Sequence, residues 1–287
     1  MADAPVHHAN AAQSDFWNGP TGRRWTENQE MQDAVLRPVD ARLMAAVAPK
    51  PGERVIDVGC GCGATAIAFA ERIGPGGEVH GLDLSQPMLA RARERAGQLP
   101  IRFALADATV YDFAPEWADI AASRFGVMFF ADPVLAFANL RRGLKRGGRL
   151  AFACFRPAKL NEWMILPLRE ATKHAPPLPE TRPEDPGPFS FADDSRARRI
   201  LVEAGYVNVE IAPHDLEVDV AGGGGVEAAV AYALAIGPSS RALQDQSEAV
   251  RAAAAADIRA ALAERAVGDS VPLRAAIWIV TATNPGL

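Results

Sequence analysis

The sequence predicts an α/β fold: a doubly wound, mostly parallel sheet with helices on both faces. Two observations carry that prediction. Short apolar runs alternate with helical stretches between residues 55 and 154, and the first run passes into its helix through closely spaced glycines. Length is the third support, since 287 residues, 49% of them apolar, can bury one large core.

Each element follows from local pattern. Residues 1–14 are small and polar without a period and read as a disordered tail. Phe16, Trp17 and Trp25 surround the turn-rich Asn18-Gly19-Pro20-Thr21-Gly22, and a helical pattern then runs over 26–47, ended by Pro49-Lys50-Pro51-Gly52. Val55-Ile56-Asp57-Val58 is a strand followed by a helix over 66–72, and Val79-His80-Gly81-Leu82 is a second strand followed by a helix over 87–96. Ile101-Arg102-Phe103-Ala104-Leu105, Asp119-Ile120-Ala121-Ala122 and Leu150-Ala151-Phe152-Ala153-Cys154 continue the series, with a helix over 134–144 before the last.

Residues 157–192 break the rhythm with Pro167, Pro176, Pro177, Pro179, Pro183, Pro186 and Pro188, as expected of a lid or binding loop. A helix over 193–204 and a strand over 207–212 resume the fold, and helices over 226–236 and 239–265 precede an apolar strand over 275–283. The alanine run 252–256 reflects helix propensity. The glycines 222–225 lack the preceding strand and following Lys-Ser/Thr of a phosphate loop and read as a connector.

Composition excludes several classes. No apolar run is long enough to cross a bilayer, and the N-terminus lacks the order of a signal peptide, so the expected compartment is the cytoplasm. A net charge of −5 disfavours a nucleic-acid partner. Cys60, Cys62 and Cys154 form neither a disulfide framework nor a zinc pattern, and no metal is expected.

The chemistry concentrates in Val55-Ile56-Asp57-Val58-Gly59-Cys60-Gly61-Cys62-Gly63-Ala64-Thr65. Glycine admits positive φ and lets a ligand approach backbone without meeting a Cβ. The following helix offers unpaired N–H groups and the positive end of its dipole. A dinucleotide loop reads G-x-G-x-x-G/A and this one reads G-x-G-x-G, although Gly59, Gly61 and Ala64 also satisfy the form ending in alanine; the loop alone admits either cofactor. Two carboxylates narrow the choice. Asp83, twenty residues past the last glycine, ends the second strand, where it can accept from both ribose hydroxyls. Asp107, in Ala106-Asp107-Ala108, ends the third, where it can accept from an adenine amine while the N–H of Ala108 reaches a ring nitrogen.

On these residues the chain resembles the class I S-adenosylmethionine-dependent methyltransferases, close in pattern to the ubiquinone/menaquinone-type small-molecule enzymes. The matching segments are residues 55–63, Gly81-Leu82-Asp83-Leu84-Ser85-Gln86-Pro87-Met88-Leu89, residues 106–108, Ser123-Arg124-Phe125-Gly126-Val127-Met128-Phe129-Phe130 and Leu144-Lys145-Arg146-Gly147-Gly148-Arg149-Leu150. The resemblance covers about residues 15–155 and implies a seven-stranded sheet whose last strand, 275–283, is antiparallel. It also implies S-adenosyl-L-methionine as cofactor and in-line transfer of its methyl group to an oxygen, nitrogen or carbon of a small molecule. By position, the backbone of Gly59, Cys60 and Gly61 would hold the methionine part with Asp57 supporting the turn. Asp83 would bind the ribose, Leu84 and Met88 would pack on the adenine, Asp107 and Ala108 would read its edge, and Ser123 would face the methionine amine. Two positions depart from the family pattern: Cys62 stands where Thr is frequent, and Lys145-Arg146-Gly147-Gly148 lacks the usual proline.

The expected organisation is a tail (1–14) and one domain (15–287), comprising a helical lid (15–50), a cofactor-binding core (51–156), a substrate-cap insert (157–192) and a C-terminal part completing the sheet (193–287), as a monomer or homodimer. Acceptor-pocket candidates are Trp17, Trp25, Arg124, Phe125, Met128, Trp163 and Phe189, although apolar residues of this kind more often fill cores. His174 and His214 are weak general-base candidates, because positioning alone can supply much of a methyl transfer. Competing readings are an NAD(P)-dependent oxidoreductase, which leaves Asp107 unexplained, and a protein that binds S-adenosylmethionine without catalysis.

Overall fold

The computed structural model of the chain describes residues 6–286. Three helices lead in: α1 (Ala11–Asn18), α2 (Pro20–Glu27) and α3 (Gln29–Val47). The single helix expected over 26–47 is thus broken at Asn28, which stands outside helical geometry at φ −105°. α3 ends where Ala48 takes a left-handed conformation, just before Pro49.

β1 (Arg54–Val58), α4 (Ala64–Ile73), β2 (Glu78–Asp83), α5 (Gln86–Ala96), β3 (Ile101–Leu105), β4 (Ala118–Arg124), α6 (Pro133–Gly143) and β5 (Leu144–Phe155) follow as alternating units. Their local causes are visible. α4 buries Ala66, Phe69, Ala70 and Ile73, one helical stripe, against the sheet. α5 and α6 begin at Ser85 and Asp132, whose side chains accept from the backbone N–H groups of Met88 and Leu135, and each carries proline in its first turn.

The remaining elements are α7 (Glu162–Ala171), α8 (Asp194–Glu203), β6 (Val207–Asp219), α9 (Gly225–Ala235), α10 (Gly237–Ala242), α11 (Glu248–Ala263) and β7 (Pro272–Thr283). The seven strands form one sheet in the order β3-β2-β1-β4-β5-β7-β6, with β7 antiparallel to both neighbours, as the family resemblance implies. The order reverses between β1 and β4, so a crevice opens at the C-terminal ends of these two strands.

Other boundaries also differ from expectation. The helix expected over 239–265 is two, because Ser247 caps a fresh start at α11. Within 157–192 the structure forms α7, with Pro167 inside it, packed against α10, α11 and β7. Residues 8–14, expected in a disordered tail, form a short turn of helix and the start of α1, with Asn10 buried; residues 1–5 of that tail lie outside the described residues. No helix among the described residues is long and apolar enough to cross a membrane.

Candidate active site

A pocket occupies the switch-point crevice. Its floor is the β1–α4 turn, where Gly59, Gly61 and Gly63 all have positive φ. Gly59 shows why no side chain fits: a Cβ there would lie 2.6 Å from the Cα of Gly126, in the loop after β4. Phe125, before Gly126, itself adopts φ +72°, and its ring stacks on Phe155 with centroids 4.1 Å apart. Backbone therefore meets backbone beneath the cavity.

The loop is tied to the neighbouring strand. The N–H groups of Gly59 and Cys60 donate to the Leu82 carbonyl at 2.8 and 3.0 Å, and the Gly61 N–H donates to Asp83 Oδ2 at 2.8 Å. Asp83 Oδ1 accepts from the Ser85 N–H at 2.8 Å. Each oxygen has one such bond and retains a lone pair for a ligand hydroxyl. Burial raises the Asp83 pKa above the ordinary carboxylate value, partly opposed by these backbone donors.

Asp107 lines the same pocket, with Oδ1 accepting from Thr109 N–H at 2.8 Å. Its Oδ2 accepts from His7 N–H at 2.9 Å and Asn10 Nδ2 at 2.8 Å. Asn10 also donates to Thr109 Oγ1 at 3.0 Å and accepts from Ala131 N–H at 3.0 Å. α1 continues over the opening: Asn18 bridges the Leu84 carbonyl and the Gln86 N–H, and Ser85 Oγ donates to the Trp17 carbonyl. Trp17 meets Trp25 and Phe129 edge to face, at 5.7 and 5.1 Å between centroids, and all three line the cavity.

Most of the expected residues converge here: Gly59, Cys60, Gly61, Asp83, Leu84, Met88, Asp107 and Ala108, with Trp17, Trp25, Arg124 and Phe125. Others are placed elsewhere. Asp57 sits beneath the loop, fully buried, with Oδ2 accepting from Thr65 Oγ1 at 2.6 Å and Oδ1 without a partner; burial pushes its pKa up to about 7. Ser123 spends its hydroxyl inside the fold, donating to the Val58 carbonyl at 2.7 Å and accepting from Val127 N–H, and does not line the cavity.

Met128 belongs to the core. Trp163 borders a smaller cleft between α7 and α9, and Phe189 packs near Phe155, both off the main cavity. His174 pairs with Asp257 at 2.9 Å on the surface and His214 stands on the edge strand β6, so neither expected base reaches the cavity. The structure adds Asn10, Gln29, Gln32, Asp33 and Leu36, which sequence reasoning missed. The last four repeat at helical spacing, and polar residues on an otherwise apolar helix face were the available signal.

An open α/β sheet with a glycine turn and two strand-end carboxylates around one crevice has the layout of a nucleotide-type cofactor site at a topological switch point. Relatives agree. The pattern of the methyltransferase domain family matches residues 55–148. The nocamycin O-methyltransferase of Saccharothrix syringae is 34% identical over 196 residues, 64% of this chain and 69% of that one. The ubiquinone/menaquinone biosynthesis C-methyltransferase of Bordetella avium is 33% identical over 150 residues, about half of either protein (51% and 54%). In fold, a phosphoethanolamine N-methyltransferase of Haemonchus contortus superposes with a TM-score of 0.58 at 19% identity, covering 98% of this chain and 61% of that one. The chain belongs to the class I S-adenosylmethionine-dependent methyltransferases, and the oxidoreductase reading is set aside.

Proposed function

We propose that the enzyme methylates a small molecule enclosed with the cofactor in this one cavity. The observation that carries the reading is the shared wall: Asp83, Asp107 and the Gly59–Gly61 backbone line a single space that α1 and α2 roof with Trp17 and Trp25. The residues present fit S-adenosylmethionine, because the loop floor is free of side chains and both carboxylates keep acceptor capacity. Asp83 would take the ribose hydroxyls, Leu84 and Met88 the adenine faces, and Asp107 with Ala108 the adenine edge. Gly59, Cys60 and Gly61 would meet the methionine part, with Asp57 bracing the turn through Thr65.

When bound, that cofactor supplies an electrophilic methyl group on sulfur. This chain's own contribution is alignment and exclusion of water: Trp17, Trp25 and Phe129 present apolar rings to the interior, and Asn10 pins the roof to Asp107. A small acceptor suits a pocket roofed by aromatic side chains. The units of the proposed organisation follow: a roof over 15–50, a core over 51–156, and a C-terminal part over 193–287 that completes the sheet. The insert 157–192 acts as a buttress rather than a wall, since none of it lines the cavity. Three unpaired, buried cysteines support a cytoplasmic setting.

Calorimetric titration tests the reading. S-Adenosylhomocysteine binds the wild-type protein and NAD does not, and Asp83→Ala weakens binding about a hundredfold, the loss of two hydrogen bonds to a charged group. Equal heats from NAD, or an unchanged affinity in the variant, would overturn it.

A further inference from the structure

One face of α3 sets what the far end of the cavity can receive. Gln29, Gln32, Asp33 and Leu36 all line the cavity, while Val39, Leu43, Met44 and Val47, further along the helix, are core. Buried polar groups need partners. Gln29 Nε2 donates to Asp33 Oδ2 at 2.6 Å, and Arg95 Nη2 reaches the same oxygen at 2.6 Å. Gln32 differs. It is 3% exposed, its Oε1 accepts from the Tyr232 hydroxyl at 2.6 Å, and its Nε2 has no partner among the described residues. A ligand oxygen would satisfy that donor.

Arg124 joins the same wall from the end of β4. Its Nη1 donates to both Asp40 oxygens, at 2.9 and 2.8 Å, while Nη2 stands 4.0 Å from Asp33 Oδ1. Asp40 therefore holds the guanidinium by Nη1, and Nη2 faces the Asp33 carboxylate across an ion-pair distance without hydrogen-bonding it, so its N–H groups can still reach a ligand.

The titratable groups of the wall are already engaged. Among the described residues the cavity is lined by Asp33, Asp83 and Asp107 but by no His, Lys, Tyr or Glu; Asp33 is held by Gln29 and Arg95, Asp83 by the Gly61 and Ser85 N–H groups, and Asp107 by His7, Asn10 and Thr109. Burial pushes the Cys62 thiol up to about 11 and Cys60 well above its ordinary value. A phenol or ammonium must first lose a proton, whereas an acceptor already ionised needs only orientation and a counter-charge.

We propose that the acceptor is an oxygen acid, a carboxylate or the enolate of a 1,3-dicarbonyl compound, held by Arg124 at its oxyanion and by Gln32 Nε2 at its second oxygen. This rests on the reading of the cavity as a methyltransferase site with adenosine at the Asp83–Asp107 end. In the transfer, a lone pair of the oxyanion forms the O–CH₃ bond as the methyl–sulfur bond breaks. The sulfur keeps the electron pair of the broken bond and loses its positive charge, so a carboxylate becomes a methyl ester with no proton to remove. Tyr232 acts as a positioning residue that turns the Gln32 amide.

The test uses the full chain saturated with S-adenosylhomocysteine. Benzoate and 1,3-cyclohexanedione, both ionised at neutral pH, are titrated while tryptophan fluorescence is followed, with benzamide and benzylamine as neutral and cationic counterparts. The anions saturate and the counterparts do not. Arg124→Gln and Gln32→Leu each weaken anion binding about tenfold and change S-adenosylhomocysteine affinity less than about threefold. Failure of both anions to saturate, preference for benzamide or benzylamine, or unaltered anion binding in both variants overturns the proposal. A tenfold loss of S-adenosylhomocysteine affinity in Arg124→Gln also overturns it, by assigning the guanidinium to the cofactor's own carboxylate. Failure of the wild type to bind S-adenosylhomocysteine strikes the underlying reading instead.

Discussion

The end of the cavity that carries Asp83 is framed by the backbone of the glycine turn and β2, whereas the end that carries Gln32 and Arg124 rests on side-chain contacts drawn from across the chain. At the first, the glycine turn and β2 are linked by backbone bonds, and Asp83 is held by Gly61 and Ser85. At the second, Gln32 depends on Tyr232 and Arg124 on Asp40. The first construction tolerates little change because backbone geometry is the recognition element. The second can be altered one side chain at a time, which is how a common fold serves many acceptors.

The largest expected effect is at the backbone end. Gly59→Val puts a branched side chain at φ +65° with its Cβ against Gly126, and should cost about 3–5 kcal/mol by combining left-handed strain with overpacking. Thermal unfolding would show a fall of roughly 10 °C, with no S-adenosylhomocysteine binding in calorimetry. A variant that melts and binds like wild type would break the contrast.

Asp57 comes next, and its sign is set by burial. With the folded pKa raised from 3.8 to about 7, its contribution to stability is present in full below the lower value and is lost as pH rises through the upper one. Urea denaturation at pH 5 and pH 8 should show Asp57→Asn gaining about 2 kcal/mol on wild type between the two. A pH-independent difference would mean that the carboxylate is ionised throughout.

A smaller effect sharpens the comparison where the two ends touch. Asn10 belongs to the roof yet bonds Asp107, so Asn10→Ala should weaken S-adenosylhomocysteine binding about fivefold, close to one hydrogen bond. Fluorescence titration beside a melting curve separates this from a general loss of stability. The smallest effect is none: His174→Ala and His214→Ala should leave turnover within about twofold of wild type. A collapse in either would restore a histidine base.

The cofactor end was legible because its signals are short-range. Val55 to Gly63, Asp83 and Asp107 announce strand ends by local pattern, and strand–helix alternation places such ends on one rim. Ser123 misled for the same reason: its position at a strand end was readable, but the Val58 carbonyl that consumes its hydroxyl belongs to the adjacent strand. Residues 8–14 look featureless because Asn10 finds its partners about a hundred positions away. Trp163 and Phe189 had the right chemistry for a pocket wall and the wrong place, since packing turned them toward helices and core.

By itself the sequence determined the fold class, the glycine turn and the two carboxylates, because hydrophobic period, glycine conformations and strand-end positions are encoded within a few residues of one another. Only the tertiary structure decided which polar groups are left unpartnered at the cavity, how the first helices roof it and where the insert lies. Those outcomes depend on contacts such as Tyr232 with Gln32, where distance along the chain carries no signal of proximity in space.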